Sequence, residues 1–336
     1  MREFYSVKEG KNNMIGTVSV IGAGSLGTAI AQLVSNNAEQ VFLHARRKEV
    51  IQDIQKTHRN LQYFPNIPLS PKIIAKYRYK SVFDPEIIFF CVPSSAVREV
   101  SCEVKNLINP ETVLVSTAKG IEHPSGKTMS QIIYDETGKH PVILSGPNFA
   151  SEIVLNQPTI TTIASNTTED LEKVKNVLTT PEFLVDTVSD VVGTELCSVL
   201  KNINAIAYGI CEGMNLNENA RFAVLNKSFQ ETKTIVEGLG GNPDTVDGYC
   251  GLGDMVLTST SNQSRNHTLG ILYGQRITVD EKSSSILFEG KKSVMAIKKL
   301  CQENSIKCDI CQFADAVLNH QKSPETAFQE LWGKML

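Results

Sequence analysis

The stretch Val18-Ser-Val-Ile-Gly22-Ala-Gly24-Ser-Leu-Gly27-Thr-Ala-Ile-Ala-Gln-Leu-Val34 leaves this chain few folds to choose from. Its first residues are apolar and β-branched and suit a short buried strand. Three glycines follow at G-x-G-x-x-G spacing, and an Ala/Leu/Ile-rich helix begins within them. Gly22 permits a tight turn. Gly24 has no side chain to hold a pyrophosphate away from the backbone. Gly27 lets the helix pack close to the strand. The helix start turns free N–H groups and the positive end of its dipole toward such an anion. Ordinary glycine turns share the bare spacing; the strand before it and the helix after it make this a dinucleotide-binding turn.

The following segments alternate in the same way. Gln40-Val-Phe-Leu-His-Ala-Arg46-Arg47 reads as a second strand closing on two arginines. An acidic residue at this point commonly binds the ribose 2′-hydroxyl of NAD, whereas an arginine accepts the 2′-phosphate of NADP. A strand end is also ordinary solvated surface, so Arg46 and Arg47 tilt the reading toward NADP and leave NAD open. Residues 49 to 60 read as a helix, and Tyr63 to Pro71 as a proline-punctuated loop. Apolar strands then run over Glu86–Val92 into Pro93, over Thr112–Thr117 into Ala118-Lys119-Gly120, and over His140–Ser145 into Gly146-Pro147-Asn148. Pro158–Ser165 is another β-rich run, and 168 to 179 a helix. This is the doubly wound α/β pattern, in which ligands meet the chain just past the carboxyl ends of strands. Pro93, Lys119, Gly146 and Asn148 all stand there.

From about Val191 the strands stop and helical patterns run to the C-terminus. The expected organisation is a leader over 1–13, a dinucleotide-binding domain over 14–190 and a helical substrate and catalytic domain over 191–336. For 336 residues two domains are the natural reading. The leader is polar and lacks the apolar core of a secretion signal, which points to a cytoplasmic protein. No apolar run approaches the ~20 residues of a membrane span. A net charge of −3 gives no reason to expect nucleic acid or an anionic membrane as partner. Eight scattered cysteines in such a chain read as reduced thiols. Cys308-Asp-Ile-Cys311, with Cys301 before and His320 after, has metal-ligand spacing. Small residues at a helix end explain it more simply, and no metal is expected.

Two stretches carry the chemistry. In the helix Gly193–Ile210, 100° per residue gathers Leu196, Val199, Leu200, Ile203, Ile206, Ala207 and Ile210 on one face. Lys201 and Asn202 then leave the core toward a surface of small residues, Thr194, Ser198 and Ala205. Most helix lysines are merely solvated; this one has Asn202 beside it and room for a ligand. The second stretch, Gly251 to Gly270, holds Asp254, several hydroxyls and Ser264-Arg265-Asn266. Serine, arginine and asparagine together make a phosphate cradle, with the guanidinium as its fork. A polar loop capping a helix is the plainer alternative.

Taken in order, these blocks resemble the bacterial NAD(P)-dependent glycerol-3-phosphate dehydrogenases. The likeness runs from about Thr17 to Gly333. It rests on Ile21–Ala29, Val92-Pro-Ser94, Ala118-Lys-Gly120, Ser145–Glu152, Leu200-Lys-Asn202, Gly251-Leu-Gly-Asp254, Ser264-Arg-Asn266 and Phe288-Glu-Gly290. It implies a Rossmann-like domain followed by an all-α domain, substrate held in the cleft between them, and a homodimer. The implied reaction is reduction of dihydroxyacetone phosphate to sn-glycerol 3-phosphate with NADPH or NADH, for glycerophospholipid synthesis. By that likeness Lys201 is the acid/base, supported by Lys119 and Asp254. Gly146, Asn148, Asn202, Ser264, Arg265 and Asn266 bind substrate. Gly22, Gly24, Ser25, Leu26, Gly27, Arg46, Arg47, Pro93, Lys119, Ala150, Arg265 and Glu289 line the coenzyme. Three positions depart from the usual pattern: Leu26 replaces a common aromatic, Asn148 a frequent serine or threonine, and Asn226-Lys-Ser228 a Thr-Arg-Gly run. A related reductase of another small hydroxy acid, or a coenzyme sensor without turnover, remains open from the residues alone.

Overall fold

Strand β1 (Ile15–Ile21) runs straight into Gly22 and helix α1 (Ser25–Val34), as the glycine spacing requires. The computed structural model describes residues 14–78, 84–277 and 289–336. They divide into two units, one of residues up to Ala118 with Met129–Ser189, the other of Lys119–Thr128 with Asp190–Leu336. The expected leader and Phe288 lie outside the described residues.

The first unit continues with β2 (Ala38–Ala45), α2 (Lys48–Thr57), β3 (Ile73–Tyr77), β4 (Ile87–Phe90), α3 (Val97–Val104) and β5 (Val113–Ser116). After the excursion at 119–128 come α4 (Met129–Thr137), β6 (Val142–Ser145), α5 (Ala150–Val154), β7 (Thr159–Ala164), α6 (Thr168–Leu178) and β8 (Phe183–Val188). Among the described residues these strands form one sheet in the order β3-β2-β1-β4-β5-β6-β7-β8. Every pairing is parallel except β6 with β7, where Leu144 faces Ile163 in antiparallel register. Period-2 alternation puts Ile87 and Phe89 on one face and Ile88 and Phe90 on the other. Both faces are covered, the first by α1, α2, α5 and α6, the second by α3 and α4. That is why the strand is apolar throughout. Each buried phenylalanine contributes roughly 1.5–3 kcal/mol. The strand order reverses direction between β1 and β4, the place where such sheets bind ligands.

The second unit is helical: α7 (Val191–Gly213), α8 (Glu218–Gly238), α9 (Asp254–Thr260), α10 (Arg265–Gly274), α11 (Glu289–Glu303), α12 (Asp309–Leu318) and α13 (Pro324–Trp332). Helix α7 is its axis and is buried from Gly193 to Cys211. Helix α10 lies against α7 backbone to backbone. A Cβ on Gly209 would fall 2.3 Å from the His267 carbonyl oxygen, and one on Gly270 2.2 Å from that of Ile206. Gly213 and Gly274 repeat the contact one turn on. Ile121 joins the same apolar core, which anchors the 119–128 segment to the helices rather than to the sheet.

Candidate active site

In the first unit the glycine turn has the geometry its spacing requires. Gly22 sits at φ +111°, and a Cβ there would strike the Cys91 carbonyl oxygen at 2.2 Å. A Cβ on Gly27 would overlap the Gly22 carbonyl oxygen at 1.8 Å. Gly24 differs: its Cβ would meet nothing within 4 Å. Gly24 is also the N-cap of α1, with no side chain bonded to the helix's first N–H groups. Open space above uncapped donors is the cradle a pyrophosphate needs, so these residues fit a dinucleotide. Ser25 and Leu26 form the first turn of α1.

Arg46 and Arg47 follow β2, and Arg47 is the N-cap of α2. The Arg47 guanidinium donates to the Tyr63 hydroxyl at 3.3 Å and lies 5.9 Å from that ring's centre. Beneath them His44 is buried, its Nδ1 donating to the Arg78 carbonyl at 2.7 Å. Burial pushes this imidazole down to about 4. Pro93 follows β4, and Gly146 (φ +149°) and Asn148 follow β6, with Ala150 opening α5. Asn148 Nδ2 donates to Thr161 Oγ1 at 2.8 Å. Its Oδ1 is buried with no hydrogen-bond partner among the described residues, an acceptor left for a ligand's donor.

In the second unit Lys201, Lys119 and Asp254 converge. Lys201 Nζ pairs with Asp254 Oδ2, and Lys119 Nζ lies 3.8 Å from the same oxygen. Thr258 Oγ1, one turn along α9, donates to Asp254 Oδ1 at 3.1 Å. Lys201 and Asp254 are buried, with side-chain exposures of 7% and 2%; Lys119 is a quarter exposed. Desolvation pulls Lys201 down to about 7; Asp254 works against that shift, and Lys119 works with it. A lysine so placed exchanges a proton near neutrality, which an ordinary surface lysine does not.

The polar face of α7 is therefore not the open surface expected from its periodicity. Lys201, Asn202, Ser198 and Thr194 are all buried. Helices pack around α7 on every side, and the polar groups meet polar groups of their neighbours. Asn204 Nδ2, for instance, donates to Thr232 Oγ1 of α8 at 3.1 Å, while Asn202 Nδ2 donates back to the Ser198 carbonyl within α7 at 3.3 Å. The stretch Gly251–Gly270 holds helices α9 and α10 joined by a short polar loop that caps α10. Ser264 is the N-cap of α10 and accepts from His267 N–H at 3.2 Å. Arg265 and Asn266 form the first turn, Arg265 exposed. A Cβ on Gly290 would sit 2.4 Å from Asn266 Oδ1, so a larger residue at the start of α11 would have to push the Asn266 side chain aside. Glu289 opens α11, and its side chain lies outside the described residues.

Comparison with known proteins decides the family. The profile described as NAD-dependent glycerol-3-phosphate dehydrogenase N-terminus matches residues 17–171, and its C-terminus counterpart matches residues 190–329. The chain belongs to the NAD-dependent glycerol-3-phosphate dehydrogenase family. The glycerol-3-phosphate dehydrogenase (NAD(P)+) of Methanothermobacter thermautotrophicus is 40% identical over 85% of this chain and 88% of its own length. That of Clostridium botulinum is 35% identical over 94% and 96%. The crystal structure of glycerol-3-phosphate dehydrogenase from Coxiella burnetii superposes with a TM-score of 0.86 at 31% identity, covering 94% of this chain and 98% of that one.

Some features of this family member escaped the sequence. Thr258 carries no signal beyond its four-residue spacing from Asp254. The π-helical turn Tyr249–Gly253 that delivers Asp254 has only its glycines. Of the departures from the family pattern, Ser228 is accommodated inside α8, its hydroxyl donating to the Val224 carbonyl at 2.9 Å. Cys301 and Cys311 lie near Cys308 at the α11–α12 junction, Cys311 Sγ donating to the Val294 carbonyl at 3.3 Å, while His320 stacks on Tyr273 instead. Among the described residues no group of three or more His, Cys, Asp or Glu side chains is arranged to hold a metal ion.

Proposed function

We propose that this chain reduces dihydroxyacetone phosphate to sn-glycerol 3-phosphate, reversibly, with NADPH or NADH. The reading is carried by one observation: a buried lysine, brought to about 7, sharing a carboxylate with a second lysine. The glycine turn with Ser25 and Leu26 holds the coenzyme's pyrophosphate, Arg46 and Arg47 its adenosine end, and Pro93, Ala150 and Glu289 line its path. When bound, the reduced nicotinamide supplies a hydride to the substrate's carbonyl carbon. Lys201 then gives its Nζ proton to the carbonyl oxygen as that oxygen gains charge. Lys119 stabilises the same charge. Asp254 orients Lys201 and keeps enough of it protonated to serve as the acid.

Arg265, with Ser264 and Asn266, grips the substrate phosphate at the start of α10, where helix N–H groups add to the guanidinium fork. Gly146, Asn148 and Asn202 hold the glycerol portion. Fixing the phosphate fixes the reacting carbon, the entropic part of the rate. We assign residues 14–190 to coenzyme binding and 191–336 to substrate and catalysis, with Lys119 contributing to the latter. The chain acts as a cytoplasmic homodimer feeding glycerophospholipid synthesis. Among the described residues no helix is long and apolar enough to cross a membrane.

The test compares dihydroxyacetone phosphate with unphosphorylated dihydroxyacetone and with ketopantoate. Turnover confined to the phosphorylated substrate supports the reading. Equal or better turnover of either alternative overturns it.

A further inference from the structure

One turn back from the Lys201–Asp254 pair, α7 also packs against the turn that leads into α9. Cys197 lies four residues before Lys201 on α7, and Cys250 four residues before Asp254 in the turn Tyr249–Gly253. Both side chains are buried, at 1% exposure. Cys197 lies against Cys250, and that contact together with burial raises the Cys197 thiol well above its ordinary range. The Cys250 thiol in turn donates to the Thr245 carbonyl at 3.9 Å. Thr245 Oγ1 donates to Asp190 Oδ2 at 2.7 Å. Asp190 closes the circuit: it is the N-cap of α7, accepting from Gly193 N–H at 2.9 Å, and it also accepts from Asn242 N–H at 2.9 Å.

Backbone contacts leave this circuit no slack. A Cβ on Gly251 would fall 2.1 Å from the Val246 carbonyl oxygen, and one on Gly241 would fall 2.8 Å from Gly193 Cα. The turn itself is π-helical, a rare form that persists where its surroundings hold it and recurs at functional sites. Slipping it to an α-helical turn would rotate helix α9 by about 100°, the angle of one residue. Asp254 is the first residue of α9, so its aim at Lys201 depends on the turn.

We propose that Cys197 and Cys250 are positioning residues: their contact locks the π turn onto α7 and so keeps the Asp254 carboxylate on Lys201. This rests on the reading of Lys201 as the acid. The charged groups acting on Lys201 are Asp254, from α9, and Lys119, from the 119–128 segment. Of these only Asp254 raises its proton affinity, so loosening the turn lowers it.

The test has two arms on the full chain. In the first, lysine labelled with 13C at Cε is titrated without substrate, the Lys201 resonance being assigned with Lys201→Arg. In the second, kcat and KM for dihydroxyacetone phosphate are followed against pH. Cys250→Val is expected to move the Lys201 midpoint down by about 1 pH unit. It should cut kcat at neutral pH about tenfold, with KM changed less than about threefold. Cys250→Ser, which keeps a donor toward the Thr245 carbonyl, should restore the midpoint and most of kcat. If Cys250→Val does not fold, Cys197→Ala takes its place with the same readouts. An unmoved Lys201 midpoint in a folded variant overturns the proposal, even if its melting temperature falls. If the unmodified chain turns over no substrate, the functional reading fails and the titration arm alone decides this one.

Discussion

Lys119 Nζ lies 3.8 Å from Asp254 Oδ2, the same oxygen that pairs with Lys201. Two cations thus share one buried carboxylate. The shared carboxylate cannot fully compensate either, and burial takes the rest of Lys201's proton affinity down to about 7. This arrangement makes opposite predictions for its two partners.

Asp254→Asn removes the attraction and should lower Lys201's midpoint further. In the proposed reaction the lysine gives its proton, so the alkaline limb of the pH–rate profile is expected to move to lower pH. Lys119→Met removes a repelling cation, and the limb moves to higher pH, although the rate at its plateau falls. Shifts of the same sign in both variants would show that Lys201 does not set the limb.

Gly24 and Gly22 should separate binding from folding. Gly24→Val points a side chain into open space, so the melting temperature stays close to that of the unmodified chain while the Kd for NADPH rises about tenfold or more. Gly22→Val forces a positive φ and a clash with Cys91, at a cost of at least about 2–3 kcal/mol. Thermal unfolding and coenzyme titration of both variants check the contrast.

Sequence range decides which of these features could be read from the chain and which could not. The glycine turn is local: strand, spacing and helix lie within one short stretch, and Gly22, Gly24 and Gly27 do what that stretch predicts. Lys201, Asn202 and the Ser264-Arg265-Asn266 cluster stood out by residue type. The burial of Lys201 and Asn202 did not, because it depends on helices α8 to α12, which meet α7 from distant parts of the chain. Lys119 follows a strand in the sequence, yet Ile121 carries its segment into the helical core. Strands β3 and β8 passed unnoticed. β3 is short and follows a proline-rich loop, and β8 alternates Phe183 with exposed Leu184 without a clear apolar face.

His44 supplies an acid-stability prediction. Its folded value, about 4, lies below the 6.5 of the unfolded chain. The stability it contributes is therefore present above pH 6.5 and lost as the pH falls toward 4. The gap corresponds to about 3 kcal/mol. Denaturant titrations across this window should show His44→Gln, which lacks the titrating ring, falling less steeply than the unmodified chain. Parallel slopes would contradict the assignment.

Arg265→Ala tests the phosphate grip. The KM for dihydroxyacetone phosphate should rise about ten- to a hundredfold, while Arg265→Lys, a point charge without the fork, recovers only part of it. An unchanged KM in the alanine variant would move the phosphate elsewhere.

The most direct measurement is the loss of reduced-nicotinamide absorbance with dihydroxyacetone phosphate, using NADPH and NADH in parallel, for the unmodified chain and for Lys201→Ala. The account predicts oxidation by the unmodified chain. It also predicts a fall of at least about a hundredfold in Lys201→Ala, with coenzyme binding retained. A folded, coenzyme-binding chain that oxidises neither, or a Lys201→Ala variant with near-normal turnover, would contradict it.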